Sequence, residues 1–419
     1  MATLAPQLFA GLDIGGAAIT AVAVVREPDG RIAYVQSARV ESAGVRDGVV
    51  VDLATATEAV ARALYELEDR LDRRLPPLCL GVGGRHVQSV NLRGETDIAP
   101  VGREIVPDDI ARVIGAARAG LRLGENRELL HEIPRAYMVD GQVGVRDPRG
   151  MAAHDLEVEV HYVSAAATSL RNLLKCVRGA RGMPEMVVSA PLAAAEALRE
   201  ALPSAQCLAI ADIGAETTNL TIQVAGTVWH SEVIGEGGAA ITRELAAQLK
   251  LPYPAAEALK LAHGTCDLAR HDEFALVELS DMGGDLAGDD AADVVPAAEL
   301  ARVIQQRAYR CADLLAERLE DARRLGVEPE ALVLAGGAAA LDGIEALLGR
   351  ALEVPVYRGR LAGIAGLPPV LESPAYATAA GLALWHARYG TAGERPARHR
   401  GVLPGLMTGM RRLLGAASA

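Results

Sequence analysis

"LFAGLDIGGAAITAVAVV", residues 8–25, is an apolar run, one carboxylate (Asp13), two glycines and a second apolar run. Its β-branched and apolar residues flanking Gly15 and Gly16 predict two antiparallel strands joined by a tight turn. Taken alone, Asp and Gly in such a turn are ordinary architecture. The pattern returns at residues 208–224, "LAIADIGAETTNLTIQV", where Asp212 follows Asp13 by 199 positions. A period this long is no solenoid unit. It predicts two related domains whose equivalent turns can face each other.

The 419 residues, 50% hydrophobic, 23% charged and only 3% aromatic, are enough for two or more cores filled by aliphatics and alanine. A formal net charge of −12 argues against nucleic acid as a partner. Cys79, Cys176, Cys207, Cys266 and Cys311 are odd in number and have no C-x-x-C spacing, as expected of reduced thiols in a cytosol. No segment has the charged-then-apolar form of a secretion signal, and no run reaches the ~20 apolar residues that span a bilayer.

Outward from the first hairpin, "VDLATATEAVARALYELEDRLDRRL" (51–75) sets Leu53, Val60, Leu64, Leu67 and Leu71 on one helical stripe, followed by the short strand "PLCLGVGG". Residues 84–164 interrupt this pattern and read as an inserted subdomain, with a helix after Pro107 and an alternating strand from Leu156. A helix near 167–180 and the strand "EMVVSA" lead to the second hairpin. Beyond it come helices on either side of Pro252 and Pro254. Residues 281–295 read as an acidic loop without regular structure, and 297–325 as a long amphipathic helix. "ALVLAGG" is expected to run straight into a helix, leaving backbone N–H groups of Gly336 and Gly337 free to approach a ligand.

The order of hairpin, insertion, hairpin and Gly-Gly turn resembles the superfold shared by actin and the sugar kinases. There the two hairpins clasp nucleotide phosphates and their carboxylates organise Mg²⁺ and its waters, which suits a hard cation that keeps oxygen ligands. Three further stretches, "GVRDGVVVDLATATEAV" (44–60), "RELLHEIPRAYMVDGQVGVRDPRGM" (127–151) and "EGGAAITRELAAQL" with "AEALKLAHGTC", are similar to the bacterial FtsA cell-division family, as is "SPAYATAAGLALW" near the end. The resemblance spans nearly the whole chain. It implies an actin-like two-domain (duplicated ribonuclease-H-like) α/β fold: subdomain 1A from 1–83, 165–200 and 363–389, inserted 1C from 84–164, 2A from 201–250 and 326–362, and 2B from 251–325.

The resemblance also implies ATP and Mg²⁺ as cofactors. Asp13, Gly15, Asp212, Gly214, Thr217 and Thr218 would meet phosphate and Mg²⁺, with Asp13 and Asp212 organising the metal, and Gly16, Gly237 and Gly238 would also bind the nucleotide. Glu257 and Lys260 would meet ribose and adenine, and Gly336 and Gly337 the adenosine; without the family, Glu257 and Lys260 read as a solvated i,i+3 ion pair. Implied partners are further copies in a filament, the FtsZ C-terminal tail docking at Arg307, the cytoplasmic membrane, and later divisome proteins, with residence on the membrane's inner face at the septum. A PilM-like pilus scaffold and a kinase of the same superfold are the alternatives.

The phosphate turns depart from the family. Gly16, Ala17 and Ala18 stand where it usually has Thr-Ser-Lys, and Ala215, Glu216 and Asn219 where it has Gly-Gly and Asp. "VVSAPLAAA" (187–195) offers no Glu or Gln to orient a water, so hydrolysis is expected to be slow or absent. Asp281, Asp285, Asp289 and Asp290 stand where relatives often carry arginines near the FtsZ-docking helix, which implies weaker or different tail binding. After a linker at 390–401, residues 402–419 are expected to form a membrane-lying amphipathic helix. At 100° per residue, Leu403, Leu406, Met407, Met410, Leu413 and Leu414 share a stripe, with Arg412 opposite and Arg411 flanking.

Overall fold

The computed structural model describes residues 5–99, 102–202, 204–270, 275–278 and 294–390. Two five-stranded sheets share one topology. The first runs Pro184–Ser189, Leu78–Val82, Gln7–Ile14, Ala18–Arg26, Ile32–Glu41. The second runs, in the reverse sense, Thr227–Ile234, Thr218–Val224, Cys207–Ile213, Ala331–Ala335, Val356–Arg358. In each, the strand ending in Asp-Ile pairs antiparallel with its hairpin partner and parallel with its other neighbour. The central strands are apolar almost throughout because both sheet faces are covered.

Helix α1 (Leu53–Leu71) starts where Asp52 accepts the Thr55 N–H at 3.1 Å and stops where Asp72 turns left-handed. Its stripe buries Val60, Leu64 and Leu67 on the first sheet, each contributing roughly 1.5–3 kcal/mol. The insertion is a four-stranded sheet, Gln142–Val145, Arg127–Val139, Asp155–Ala166, Gln88–Asp97, with α2 (Pro107–Ala119) on one face. Alternation along Asp155–Ala166 sends Leu156, Val158, Val160 and Tyr162 toward α2, while Val163 and Ala165 join the first domain's core.

After α3 (Ala167–Gly179), helices α4 (Ala190–Leu198) and α9 (Ala377–Tyr389) lie between the two sheets. Every residue of α4 is buried, as is α9 from Ala377 to Ala387. They cross at Gly381, where a Cβ would lie 1.7 Å from the Ala193 carbonyl oxygen. The second sheet carries α5 (Gly238–Gln248), α6 (Tyr253–His263), α7 (Ala297–Arg324) and α8 (Ile344–Leu352), which bury one continuous core.

The insertion also reaches the second domain. His161 Nε2 lies 2.8 Å from Ser231 Oγ, Ser89 Oγ donates to the Ser231 carbonyl at 2.5 Å, and the Arg135 guanidinium sits 4.7 Å above the Trp229 ring. These contacts hold the edge strand Thr227–Ile234.

Two expectations are corrected. The strand Ala331–Ala335 does not run straight into a helix: a 3₁₀ turn, Gly337–Ala340, intervenes, and α8 begins only at Ile344, because Gly336 (φ +85°) and Gly343 (φ +74°) turn the chain. The loop expected at 281–295 ends in a strand, Val294–Pro296, paired with Leu276–Glu278. Residues 281–293, with Asp281, Asp285, Asp289 and Asp290, and the expected membrane helix with Leu403, Leu406, Met407, Met410, Arg411, Arg412, Leu413 and Leu414, lie outside the described residues. No helix among the described residues is long and apolar enough to cross a membrane.

Candidate functional site: a cleft between two matching turns

The two Asp-Ile-Gly turns are the same structure. Gly15 N–H donates to Ala18 O at 3.0 Å and Gly214 N–H to Thr217 O at 2.9 Å; Asp13 pairs across its hairpin with Thr20, and Asp212 with Asn219. The two carboxylates are close enough that the charge of Asp212 acts on Asp13. Asp13, half-buried, is pushed up to about 7, first by loss of solvent and then by the charge of Asp212, with Arg39 opposing. Burial also raises Asp212, while hydrogen bonds from Thr378 Oγ1 (2.7 Å) and Asn219 Nδ2 (3.2 Å) pull it back. Two repelling, poorly hydrated carboxylates fit a divalent cation. No cluster of three or more His, Cys, Asp or Glu able to hold a metal exists among the described residues, so a cation here would complete its shell with water or ligand oxygens.

Gly336 closes on this pair. Its Cβ would lie 2.3 Å from Ile213 O and 2.5 Å from Asp212 Oδ1, so the residue is glycine because the second acid's strand passes against its backbone. Its N–H is taken by Pro374 O at 2.9 Å and is not free for a ligand. Gly337 differs: it is exposed, with open space where a Cβ would go.

Beside the second turn lies a small cleft with a cavity volume of about 20 Å³, bounded by Ile213, Gly237, Gly238, Ala338 and Leu341. Gly237 folds onto the turn, its Cβ position 2.6 Å from Ala215 O, and Gly238 N–H donates to Gly214 O at 2.9 Å. Thr218 is fully buried and its hydroxyl donates to Glu236 O at 2.7 Å, which removes it from phosphate contact and leaves Thr217 at the turn. Lys260 Nζ bridges Glu257 Oε2 (2.7 Å), Thr242 Oγ1 (2.8 Å) and Gly238 O (3.3 Å). The pair is i,i+3 as a solvated pair would be, yet the Lys260 side chain is only 11% exposed and braces the start of α5 at the cleft.

Arg307 does not project from a free surface. It lines this cleft, 3.5 Å from Glu236 and 3.9 Å from Glu244, with α7 turning Arg302, Tyr309 and Arg310 outward instead.

Across the interdomain space, Glu216 at the second turn accepts the Asp47 backbone N–H of the first domain, and its Oε2 lies 3.1 Å from the Cβ position of Gly16. Arg85 Nη2 pairs with Asp47 Oδ2 at 2.8 Å. Reading the sequence missed this bridge, and with it Thr378 and Arg39. Arg39 pairs with Thr20, which pairs with Asp13, so the three share one sheet face and the guanidinium stands near the first acid, over the Tyr376 ring at 5.5 Å. Thr378 could be found only by knowing that α9 packs beneath Asp212.

The comparisons bear on this geometry. A family model described as "SHS2 domain inserted in FTSA" matches residues 84–164, and one described as "Cell division protein FtsA" matches residues 209–381. The cell division protein FtsA of Agrobacterium fabrum is 32% identical over 346 residues, 82% of this chain and 76% of its own length. Among solved structures, the PilM-PilN type IV pilus biogenesis complex contains a similar chain (TM-score 0.66, 20% identity, 90% of this chain and 98% of that one). MreB5 of Spiroplasma citri bound to ADP is similar at TM-score 0.50 and 13% identity, over 90% of this chain and 96% of that one. Those likenesses show an actin-like α/β fold, here with the inserted subdomain. On the strength of its relatives, this chain belongs to the FtsA family of cell division proteins.

Proposed function

We propose that the protein is an actin-like division protein that binds ATP with Mg²⁺ between its two turns. In this reading it polymerises, holds FtsZ filaments to the cytoplasmic membrane at the septum, and recruits later divisome proteins. The carrying observation is the pair of equivalent turns whose acids, Asp13 and Asp212, repel across the cleft, in a chain of the FtsA family. The ADP held by MreB5, a protein of the same fold, is consistent with nucleotide there. Asp13 and Asp212 would hold a hydrated Mg²⁺, which when bound supplies charge neutralisation for phosphate. Gly15, Gly16, Gly214 and Thr217 would line the phosphate path, Gly237, Gly238 and Gly337 would back the nucleoside, and Lys260 with Glu257 would fix the wall behind it. A ligand touching both domains favours the closed state, so the nucleotide acts chiefly as a clamp with slow or absent hydrolysis.

The tail of residues 395–419 carries five arginines and no acid, so it is +5 against −17 for the rest of the chain. Anionic lipid contributes about 1 kcal/mol per nearby basic residue, beyond burial of the apolar stripe. The docking surface for the FtsZ tail would be α7, with Arg307 supporting it from the cleft side. Liposome co-sedimentation with electron microscopy tests the whole reading. Filaments on anionic vesicles are expected, with loss of membrane binding on Leu406→Glu plus Met410→Glu. Undiminished sedimentation of that variant would refute the anchor, and phosphoryl transfer by a monomer would favour the kinase alternative.

A further inference from the structure

Glu216 sits at the tip of the second turn, yet its hydrogen bond is to the other domain. The group receiving it is built. Asp47 has φ +50° and Gly48 φ +71°, and their turn is clamped on Gly83 and Gly84: a Cβ on Gly48 would lie 2.5 Å from Gly83 O, and one on Gly84 2.2 Å from Asp47 O. That packing fixes the Asp47 N–H toward the cleft. Arg85 pairs with the Asp47 carboxylate and offsets its charge, and the Arg85 stem passes the Gly235 backbone, where a Cβ would lie 2.5 Å from Arg85 Cδ. The fixed Asp47 N–H and the bare surface of Gly16 make a seat for an oxyanion. The carboxylate of Glu216 occupies it.

The position in the cleft gives this meaning. Resting on the nucleotide reading above, Gly237 and Gly238 would back the nucleoside end at the base of the second turn, where Gly238 N–H meets Gly214 O. Glu216 spans from the second turn to Gly16 and the Asp47 N–H of the first domain, so phosphates held between the two turns would have to share that gap with its carboxylate. We infer that Glu216 is a built-in stand-in for the terminal phosphate: it ties the two turns together before nucleotide binds and makes ATP, which the site still accepts, bind less tightly than a nucleoside diphosphate. A triphosphate must displace the carboxylate or sit beside it with like charge, whereas a diphosphate ends short of it.

Titration calorimetry with Mg·ADP and Mg·ATP on the full chain, Glu216→Gln and Glu216→Ala tests this. Hydrogen exchange at the Asp47 amide in nucleotide-free protein accompanies it. Wild type is expected to bind ADP at least tenfold more tightly than ATP. Glu216→Gln, which keeps an acceptor and loses the charge, should shift the ATP:ADP affinity ratio at least tenfold toward ATP while the Asp47 amide stays protected. Glu216→Ala should shift the ratio likewise and lose at least tenfold of that protection. Tight binding with an unchanged ratio in both variants overturns the preference and leaves the nucleotide reading standing. Unchanged protection in Glu216→Ala overturns the closure. Failure of all three proteins to bind either nucleotide overturns the preference together with the nucleotide reading.

Discussion

Gly336→Ala and Gly337→Ala separate two reasons for a glycine pair. At Gly336 the backbone (φ +85°, ψ 167°) lies in a region that is essentially glycine's alone, which costs an alanine about 1–3 kcal/mol. The new methyl would also stand 2.3 Å from Ile213 O, roughly 1 Å inside ordinary contact, and that carbonyl belongs to a central strand locked between two neighbours. Overpacking of this kind adds about 1–3 kcal/mol. The sum is about 2–6 kcal/mol, with the strain delivered to the strand that carries Asp212. At Gly337 the Cβ meets nothing within 4 Å and φ is not positive, so Gly337→Ala should lie within about 0.5 kcal/mol of wild type. Urea denaturation followed by circular dichroism measures both. If Gly336→Ala costs less than about 1 kcal/mol, or if the two variants are equally destabilised, the argument that Gly336 exists for close approach to the second acid is wrong.

Arg307→Gln should weaken binding of the FtsZ C-terminal peptide at least fivefold in fluorescence anisotropy, and an unchanged affinity would show that Arg307 does not support the docking helix. Its stability cost should be only about 0–1 kcal/mol, because the pairs with Glu236 and Glu244 are long and partly exposed. In the insertion, Asp109 accepts from Arg103 (2.6 and 2.8 Å) and from the Val106 N–H (2.9 Å) at the start of α2. The Arg103 hydrogen bond leads in holding its carboxyl well below the usual range. Asp109→Ala should cost about 1–2 kcal/mol at pH 7. Because the folded value is depressed, this stabilisation is present above the unfolded value near 3.9 and is lost as pH falls through the folded value, so the gap to wild type should narrow below about pH 4. A gap that stays constant to pH 2 would contradict the assignment.

The duplication was legible because Asp13 and Asp212 sit in matching alternation, and a hairpin carries its own register in its turn. The helical stripe of α1 and the insertion's exposed-to-buried alternation were legible for the same reason: local periodicity reports which face is covered. Arg39 was not. Counting back from the pairing of Arg26 with Ile32 would set Ala38 opposite Thr20, but a bulge between Ala23 and Val24 shifts the partner to Arg39 and brings it to the face of Asp13. Thr378 and Glu216 act across 166 and 169 residues of chain, and nothing local announces either contact. Thr218 misled because the register that buries a strand's first residue also turns its hydroxyl inward to Glu236. Arg307 falls on the arginine that the family resemblance assigns to FtsZ-tail docking, and two acids of α5 and its approach draw it toward the cleft.

The central claim is that the two facing acids bind nucleotide through Mg²⁺. Its most direct test is calorimetric titration of ADP into the full chain with Mg²⁺ and with EDTA, for wild type, Asp13→Asn and Asp212→Asn, each checked for an intact fold by circular dichroism. The account predicts binding that requires Mg²⁺ and weakens at least tenfold in each variant. Binding equally tight in EDTA and in both folded variants would contradict it.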